Sequence, residues 1–318
     1  MNYIYLIFTI LFSMALEHYE MKYRIVSVKR FPELQQDLDQ LFDGNKLSTN
    51  SVYRSYIDPK KFTVPETFSN AKSVIILAKA TRIAFINFHY YGQVHNLLLP
   101  SPYYDDGSKI EDIEDYIFNE IFHSSRSESL YKIERTKNLF LKTLAVRSGL
   151  AKYGRNNISY VTEFGSFFDL YSFFTDFIPS KYDWSERKLM DLCESCTICT
   201  NLCPTKAIRN NEFVIDVERC LSLYNEVKGD FPPDFPTHIH HALMGCIKCQ
   251  YSCPANKNAI TNTRQLEPIT EEETQMVLEG RRNDALVHSL CMKLKMFPFE
   301  YYDRYLPVLR RNLSVLIK

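Results

Sequence analysis

Glycine is scarce in this chain, with nine residues in 318. Neither G-x-G-x-x-G nor G-x-x-x-x-G-K-[ST] occurs. The chain therefore lacks the glycine turns that let a backbone close around a pyrophosphate or a nucleotide phosphate. Net charge is lacking too. Thirty-eight Lys and Arg balance thirty-eight Asp and Glu, which leaves no bulk field to draw the chain to nucleic acid or to an anionic membrane. A local basic patch for RNA is compatible with that balance. Long apolar runs are missing except at the start, where residues 1–16 read MNYIYLIFTILFSMAL. That run is short of the about 20 residues a membrane span needs. It has no positive n-region, as a signal peptide would, and no twin arginine precedes it. Met21 then opens MKYRIVSVKRF, an ordinary cytosolic beginning. Residues 1–20 thus read as an apolar leader or a mis-assigned start, with a real anchor as the alternative. The expectation is a cytoplasmic protein with no membrane partner.

Cysteine is present in a pattern. Cys193, Cys196, Cys199 and Cys203, followed by Pro204, read C-x2-C-x2-C-x3-C-P, and Cys246, Cys249 and Cys253, followed by Pro254, read C-x2-C-x3-C-P. This is the ligand pattern of bacterial-type ferredoxins with two 4Fe–4S clusters, in which three closely spaced thiolates wrap one cluster and the Cys before Pro serves the other. Cys193, Cys196, Cys199 and the distant Cys253 are expected to hold cluster one, and Cys203, Cys246 and Cys249 three irons of cluster two. A full second repeat would place a cysteine at 243, which is Leu. The one free cysteine between the motifs is Cys220, so counting assigns it as the fourth ligand. Zinc also uses paired C-x2-C, but zinc ribbons rarely carry a third Cys at x2 with C-P in both halves. Clustered spacing in a chain of this size also favours metal over disulfides. Cys291, beside Leu290 and one turn after Val287, reads as a buried apolar residue. His238, His240 and His241 precede Cys246 and read as solvated or capping residues rather than as a metal cluster.

The length is enough for two domains. NAKSVIILAKA at 70–80 fits a buried strand, and Arg24 to Val28 is a weaker one. Ser108, with Glu111 three residues on, predicts a capping box and a helix carrying Ile110, Ile113, Ile117 and Ile121. A second helix is expected from about Thr136 to Ser148, with Gly149 past its end. Ile158 to Val161 and Phe167 to Phe174 read as strands. The aromatics around 85–104 and 167–177 read as core or as the lining of a cofactor pocket. Alternating elements predict an α/β domain over residues 21–190, followed by a double 4Fe–4S ferredoxin domain over 191–262. Helices are expected over 263–318, the first opening at Thr270 with a capping box to Glu273.

Further motifs narrow the choice. SGLAKYGRNN at 148–157, then Gly165-Ser166, NAKSVIILA at 70–78, CPTKAI at 203–208, ERC at 218–220 and GCIKCQYSCPANK at 245–257 together resemble epoxyqueuosine reductase and its relatives. These are cobalamin-dependent iron–sulfur enzymes, distantly similar to reductive dehalogenases. The resemblance covers roughly residues 65–262. It implies a nitroreductase-like α/β domain that cradles cobalamin against the double-cluster domain. It also implies electron flow through the clusters to cobalt, a low-potential donor such as ferredoxin or flavodoxin, and tRNA as a possible substrate. Gly154, Arg155, Asn156 and Asn157 match the family's G-[KR]-[NH] loop beside the cofactor. Arg155 there is expected to meet the cofactor's polar periphery or to brace a structural turn. The family's ERC-like cysteine is a cluster ligand, which agrees with Cys220.

Two departures stand out. The family carries a proton-donating Asp in D-x-x-P-x-x-E-R before the turn at Gly149. Here Arg135, Asn138 and Leu141 occupy the Asp, Pro and Glu positions, and Glu134 is one residue off register. The C-terminal repeat domain of some members is absent or reduced to residues 263–318. A two-cluster electron carrier without substrate chemistry is therefore the competing reading.

Overall fold

The computed structural model describes residues 20–43, 47–209 and 212–317. The apolar run at 1–16 lies outside the described residues. Strand β1 (Met21–Ser27), helices α1 (Phe31–Asp43) and α2 (Ser51–Ile57), strands β2 (Ser73–Ala80), β3 (Ile83–Tyr90) and β4 (Gln93–Leu99) and helix α3 (Ile110–Tyr116) come first. They are followed by β5 (Ile133–Thr136), α4 (Leu141–Arg147), the two-residue strands β6 (Lys152–Tyr153) and β7 (Ser159–Tyr160), and β8 (Phe168–Thr175).

Strands β1, β2, β8 and β5 form a sheet in that order, and every pairing in it is antiparallel. Helices and strands are interspersed, but β2–β4 and β6–β8 follow one another without an α-helix between them, and no parallel crossover joins the strands of this sheet. The apolar run of β2 is continuous because both faces of the sheet are covered. Side chains alternate across a strand, so Val74, Ile76 and Ala78 pack under α1 and α4 while Ile75 and Leu77 pack under α3. Lys79, at the end of this strand, is fully buried. Its ammonium donates to Asp106 and to Ser108 and lies 3.8 Å from Asp169.

That contact explains one correction. Ser108 does not cap α3; its hydroxyl receives Lys79. The helix starts at Ile110, and the carboxylate of Asp112, rather than Glu111, takes the backbone N–H of Lys109 at 3.1 Å. The isoleucine stripe does pack inward, with its last part, Ile117–Ile121, in a wider π turn. A second correction concerns Thr136. The segment Ile133–Thr136 pairs with β8, so the helix after it begins only at Leu141. Gly149 follows that helix at φ +75 with its N–H on the Val146 carbonyl, as expected. The strand expected over 158–161 shrinks to Ser159–Tyr160.

The hairpin β3–β4 turns at Tyr91 and Gly92, both at positive φ, the conformation a two-residue I′ turn needs. It forms a second sheet with β9 (Thr263–Gln265), which runs parallel to β3. Helices α5 (Ile198–Leu202), α6 (Leu221–Glu226) and α7 (Lys248–Tyr251) precede β9 in the cysteine-rich segment. Helices α8 (Glu271–Glu279), α9 (Asp284–Leu294) and α10 (Tyr302–Leu316) follow it. The Thr270–Glu273 capping box is present, with Thr270 accepting from Glu273 N and Glu273 from Thr270 N. One apolar core joins Ala84, Ile86, Phe88 and Leu99 of the hairpin to Leu243, Val277, Leu290 and Leu313. Cys291 is buried in that core.

Candidate iron–sulfur and cofactor site

The cysteines sit on short turns that leave little freedom. Cys193 ends a 3-10 turn, and Cys199 stands in the first turn of α5. Cys203 closes that helix with its N–H on the Cys199 carbonyl at 3.0 Å, and Pro204 then forces the chain away. Cys220 ends another 3-10 turn and caps α6. Cys249 lies on α7, and Cys253 precedes Pro254, which opens one more 3-10 turn.

The thiols fall into two groups. Burial pushes the Cys193 thiol up, with the Arg155 backbone N–H pulling the other way and Cys253 and Cys196 adding to the rise. Cys199 is raised by burial, then by Cys193 and Cys253. Cys193, Cys196, Cys199 and Cys253 line one small cavity. In the other group, burial pushes Cys246 up to about 12, with Cys220 and Cys203 contributing. Burial also drives Cys249 well above its ordinary value, with Cys246 and Cys220 adding to it. Cys220 is raised by burial and by Cys203. Cys249 also feels Cys199, so the two groups are neighbours. The ligand sets proposed below follow these groupings. Burial alone would keep such thiols protonated; a coordinated metal deprotonates them outright. Among the described residues no three His, Cys, Asp or Glu side chains converge as ligands of a single ion would. A cube does not call for that convergence, because it offers four separate irons, each to one thiolate.

The loop Gly154–Asn157 lies against both quartets. Gly154 N–H donates to the Ile158 carbonyl at 2.7 Å and Asn157 N–H to the Gly154 carbonyl at 3.0 Å. A Cβ at Gly154 would fall 2.5 Å from Tyr160 Cε2 and 2.6 Å from Asn156 Oδ1, so no side chain fits there. The Arg155 guanidinium donates to the carbonyls of Cys196, at 3.0 Å, and of Cys193, which braces the first cysteine loop. Asn156 is buried, donates to the Tyr160 hydroxyl at 2.9 Å, and its side chain pulls the Cys249 thiol down against the burial that raises it. Asn157, at φ +60, receives Lys142 Nζ on its carbonyl at 2.7 Å and on its Oδ1 at 3.0 Å. Burial pulls the Lys142 ammonium down to about 8. Asn156, Asn157 and Lys142 border a cavity of about 440 Å³ with Tyr53, Phe140 and Phe213 among its walls. Gly165, at φ +59, and Ser166 tie this region to the second cysteine motif, because Asn256 accepts from Ser166 N at 2.8 Å and donates to Ser166 Oγ at 2.8 Å.

Other candidates land elsewhere. Arg135 stacks on the Tyr171 ring at 5.4 Å, and Glu134 accepts from Thr67 at 2.8 Å; neither borders the cavity. Among the histidines, His240 Nδ1 meets Asn225 at 3.2 Å and His241 Nε2 accepts from Ile247 N at 3.2 Å, while His238 is exposed. Burial holds both His240 and His241 down near 4, so they serve as neutral loop braces. Of the twelve Phe and Tyr in the two segments, five, Phe88, Tyr104, Phe167, Phe173 and Phe174, are core, and the others are partly buried except the exposed Tyr91. Lys142 and Phe213 were not among the sequence candidates. A lysine at 142, fifteen residues from its partner in the chain, carries no motif of its own.

Residues 192–256 match the family described as 4Fe-4S double cluster binding domain, and the chain carries a two-cluster iron–sulfur domain. An epoxyqueuosine reductase of Bacillus subtilis (strain 168) is 32% identical over 149 residues, 47% of this chain and 36% of that protein. One of Cyclobacterium marinum is 28% identical over 243 residues, 71% of this chain and 70% of that protein. The chain is epoxyqueuosine reductase-like. Its matches thus span between about a third and about seven-tenths of those curated relatives. The fold agrees. A solved epoxyqueuosine reductase from Bacillus subtilis superposes with a TM-score of 0.63 at 20% identity over 99% of this chain and 82% of that one. Another, solved with an epoxyqueuosine-modified tRNA-Tyr stem loop, gives 0.63 at 19% identity, covering 99% and 81%. No helix among the described residues is long and apolar enough to cross a membrane.

Proposed function

We propose that this chain is an oxidoreductase in which a 4Fe–4S cluster on Cys193, Cys196, Cys199 and Cys253 and a second on Cys203, Cys220, Cys246 and Cys249 relay electrons to a corrinoid in the cavity beside Asn156. The observation that carries this reading is the position of Asn156, which lines both the small cavity bordered by the Cys193, Cys196, Cys199 and Cys253 thiols and the 440 Å³ cavity, and whose side chain pulls the Cys249 thiol down against its burial. A cofactor bound there lies next to the second quartet. When bound, a corrinoid supplies a low-valent cobalt centre for reductive chemistry. The residues present suit its chemistry. Tyr53, Phe140, Tyr153 and Phe213 offer apolar and aromatic walls to a macrocycle. Lys142 and the Asn157 amide offer polar contacts to an amide-rich periphery. Gly154 keeps the loop low enough for Tyr160 and Asn156 to pack under it. No D-x-H-x-x-G occurs, so the chain would offer a corrinoid no histidine from that motif.

The likeness to an epoxyqueuosine reductase solved with a modified tRNA stem loop makes tRNA the candidate substrate and the cytoplasm the expected compartment. A ferredoxin or flavodoxin is the expected donor. One observation favours the alternative, a two-cluster electron carrier. The family's proton-donating Asp is replaced, and both Arg135 and Glu134 are engaged away from the cavity.

An anaerobic titration of the reconstituted protein with cobalamin separates the two. The expected result is a shift of the cobalt spectrum to the form with the lower base detached, saturating at micromolar protein. No spectral change would leave the carrier reading as the better one.

A further inference from the structure

The quartet Cys193, Cys196, Cys199 and Cys253 lies under a surface that the preceding reading does not use. Helix α5 packs on α7. Ile198 and Leu202, four residues apart and so on one side of α5, are 37% and 47% exposed, and Tyr251 of α7 is 51% exposed. Leu192, which borders the same small cavity as the four thiols, is 46% exposed. Apolar side chains grouped in this way mark contact surfaces more often than scattered ones do. Leu202, Lys248 and Tyr251 also border a groove of about 460 Å³ whose far side is Phe85 and Asn96 of the hairpin.

The two cysteine-rich stretches that build α5 and α7 carry cations but no acids. No Asp or Glu occurs between Ser195 and Asn211 or between Gly245 and Arg264. Of the cations in these stretches, Arg209 is neutralised by Glu212 and Asp216, and Arg264 is turned to the Asp106 carbonyl. Lys206, Lys248 and Lys257 make no ion pair among the described residues, and Lys206 donates only to the Asn201 carbonyl, at 2.9 Å. Beside Leu192, Asp191 pairs with Lys152 at 3.3 Å and Glu194 is exposed.

We infer that the α5–α7 face, with Ile198, Leu202 and Tyr251 ringed by Lys206, Lys248 and Lys257, docks an acidic low-potential one-electron carrier protein of the ferredoxin or flavodoxin class. The carrier loses one electron and the cluster on Cys193, Cys196, Cys199 and Cys253 gains it; no bond forms or breaks and no proton moves. The inference rests on the two-cluster reading, though not on the corrinoid. Exposed apolar residues supply contact at the centre, and the lysines supply steering of an acidic partner, which speeds association by about 10- to 1,000-fold and fades with salt.

The test is anaerobic stopped-flow reduction of the reconstituted full chain, first by a photoreduced acidic flavodoxin and then by dithionite. Carrier-driven reduction of the wild type should slow at least about tenfold between low and about 0.3 M salt, as screening demands. The variant K206E/K248E/K257E should lose at least about tenfold at low salt, and Y251A/L202A should lose rate with its salt dependence kept. Dithionite should reduce all of them alike. A carrier-driven rate that is indifferent to salt and to charge reversal, with dithionite still effective, overturns the docking surface alone. Failure of dithionite to reduce the wild type overturns the cluster reading and the docking surface with it. If charge reversal abolishes binding of an RNA stem loop but leaves carrier-driven reduction unchanged, the face belongs to RNA and the inference falls.

Discussion

Replacing Arg155 with Ala decides what that residue is for. Its guanidinium bonds the Cys196 carbonyl at 3.0 Å and the Cys193 carbonyl, with a weaker 3.5 Å approach to that of Glu194. A hydrogen bond from a charged donor is worth about 1.5–3 kcal/mol. Two such bonds from a half-buried side chain amount to about 2–4 kcal/mol of order in the first cysteine loop after solvent screening. At about 1.4 kcal/mol per decade, local opening of that loop should become about 30- to 900-fold more frequent. The assay is iron release to a chelator under anaerobic conditions. The Ala variant should lose roughly half its iron faster by a factor in that range, while the second cluster keeps its spectrum. A Lys at 155 should recover part of the loss, since one ammonium lacks the fork that meets two carbonyls. If the Ala variant releases iron like the wild type and only its cobalamin affinity falls, the guanidinium serves the cofactor's periphery and the bracing role is wrong.

Iron and sulfide analysis of the anaerobically reconstituted protein should give about eight of each per chain, two cubes at four irons apiece; about four irons, or stoichiometric zinc, would remove the two-cluster assignment. Cys220→Ala should cost one cluster and spare the other, whereas Cys291→Ala should change neither, as read from iron content and the reduced-state resonance spectrum. Asp169→Asn should change the pH profile of stability. Burial raises the Asp169 carboxyl to about 6 against the pull of Lys79, so its stabilising contribution is full below the unfolded value near 4 and fades as pH rises through about 6. With 37% of that side chain exposed, the variant should gain roughly 1 kcal/mol on wild type between pH 5 and pH 7.5 after screening. A flat difference in unfolding free energy across that window would refute it.

The two-cluster domain was legible because ligand spacing is a local property. The count that left Cys220 for the second quartet needed only the sequence, and in the structure Cys220 stands among Cys203, Cys246 and Cys249. The strand at 73–80 was legible for a similar reason, since a run buried on both faces is apolar throughout. What failed was decided by partners far along the chain. Ser108 has the residue type and spacing of a cap, yet a buried lysine 29 positions earlier claims its hydroxyl. Thr136 lies in a stretch with helical character, yet β8 recruits it as an edge strand. The hairpin at 83–99 shows alternation in IAFINFHY and a Tyr-Gly turn, and its aromatics read as core or as a pocket lining without showing what they pack against. Its actual partner is the core built by residues 243–317, which no local pattern announces. Arg155 matched a family loop by type, while its hydrogen-bond partners sit 38 and 41 residues on.

That loop also bears on how the site holds together. Three successive residues address three places: Arg155 the carbonyls of the first cysteine loop, Asn156 the Tyr160 hydroxyl beside the first quartet's cavity, and Asn157 the Lys142 ammonium on the wall of the larger cavity. Successive peptide units fix the distances between these contacts. The first cysteine loop and the cavity wall are therefore held in register by covalent chain and not only by packing. Gly154 sets the height of the loop, since a Cβ there would meet Tyr160 and Asn156 inside van der Waals contact. Raising it would disturb all three contacts together. A relay that depends on short separations gains from such a brace, because one short loop carries contacts to the first cysteine loop and to the cavity wall.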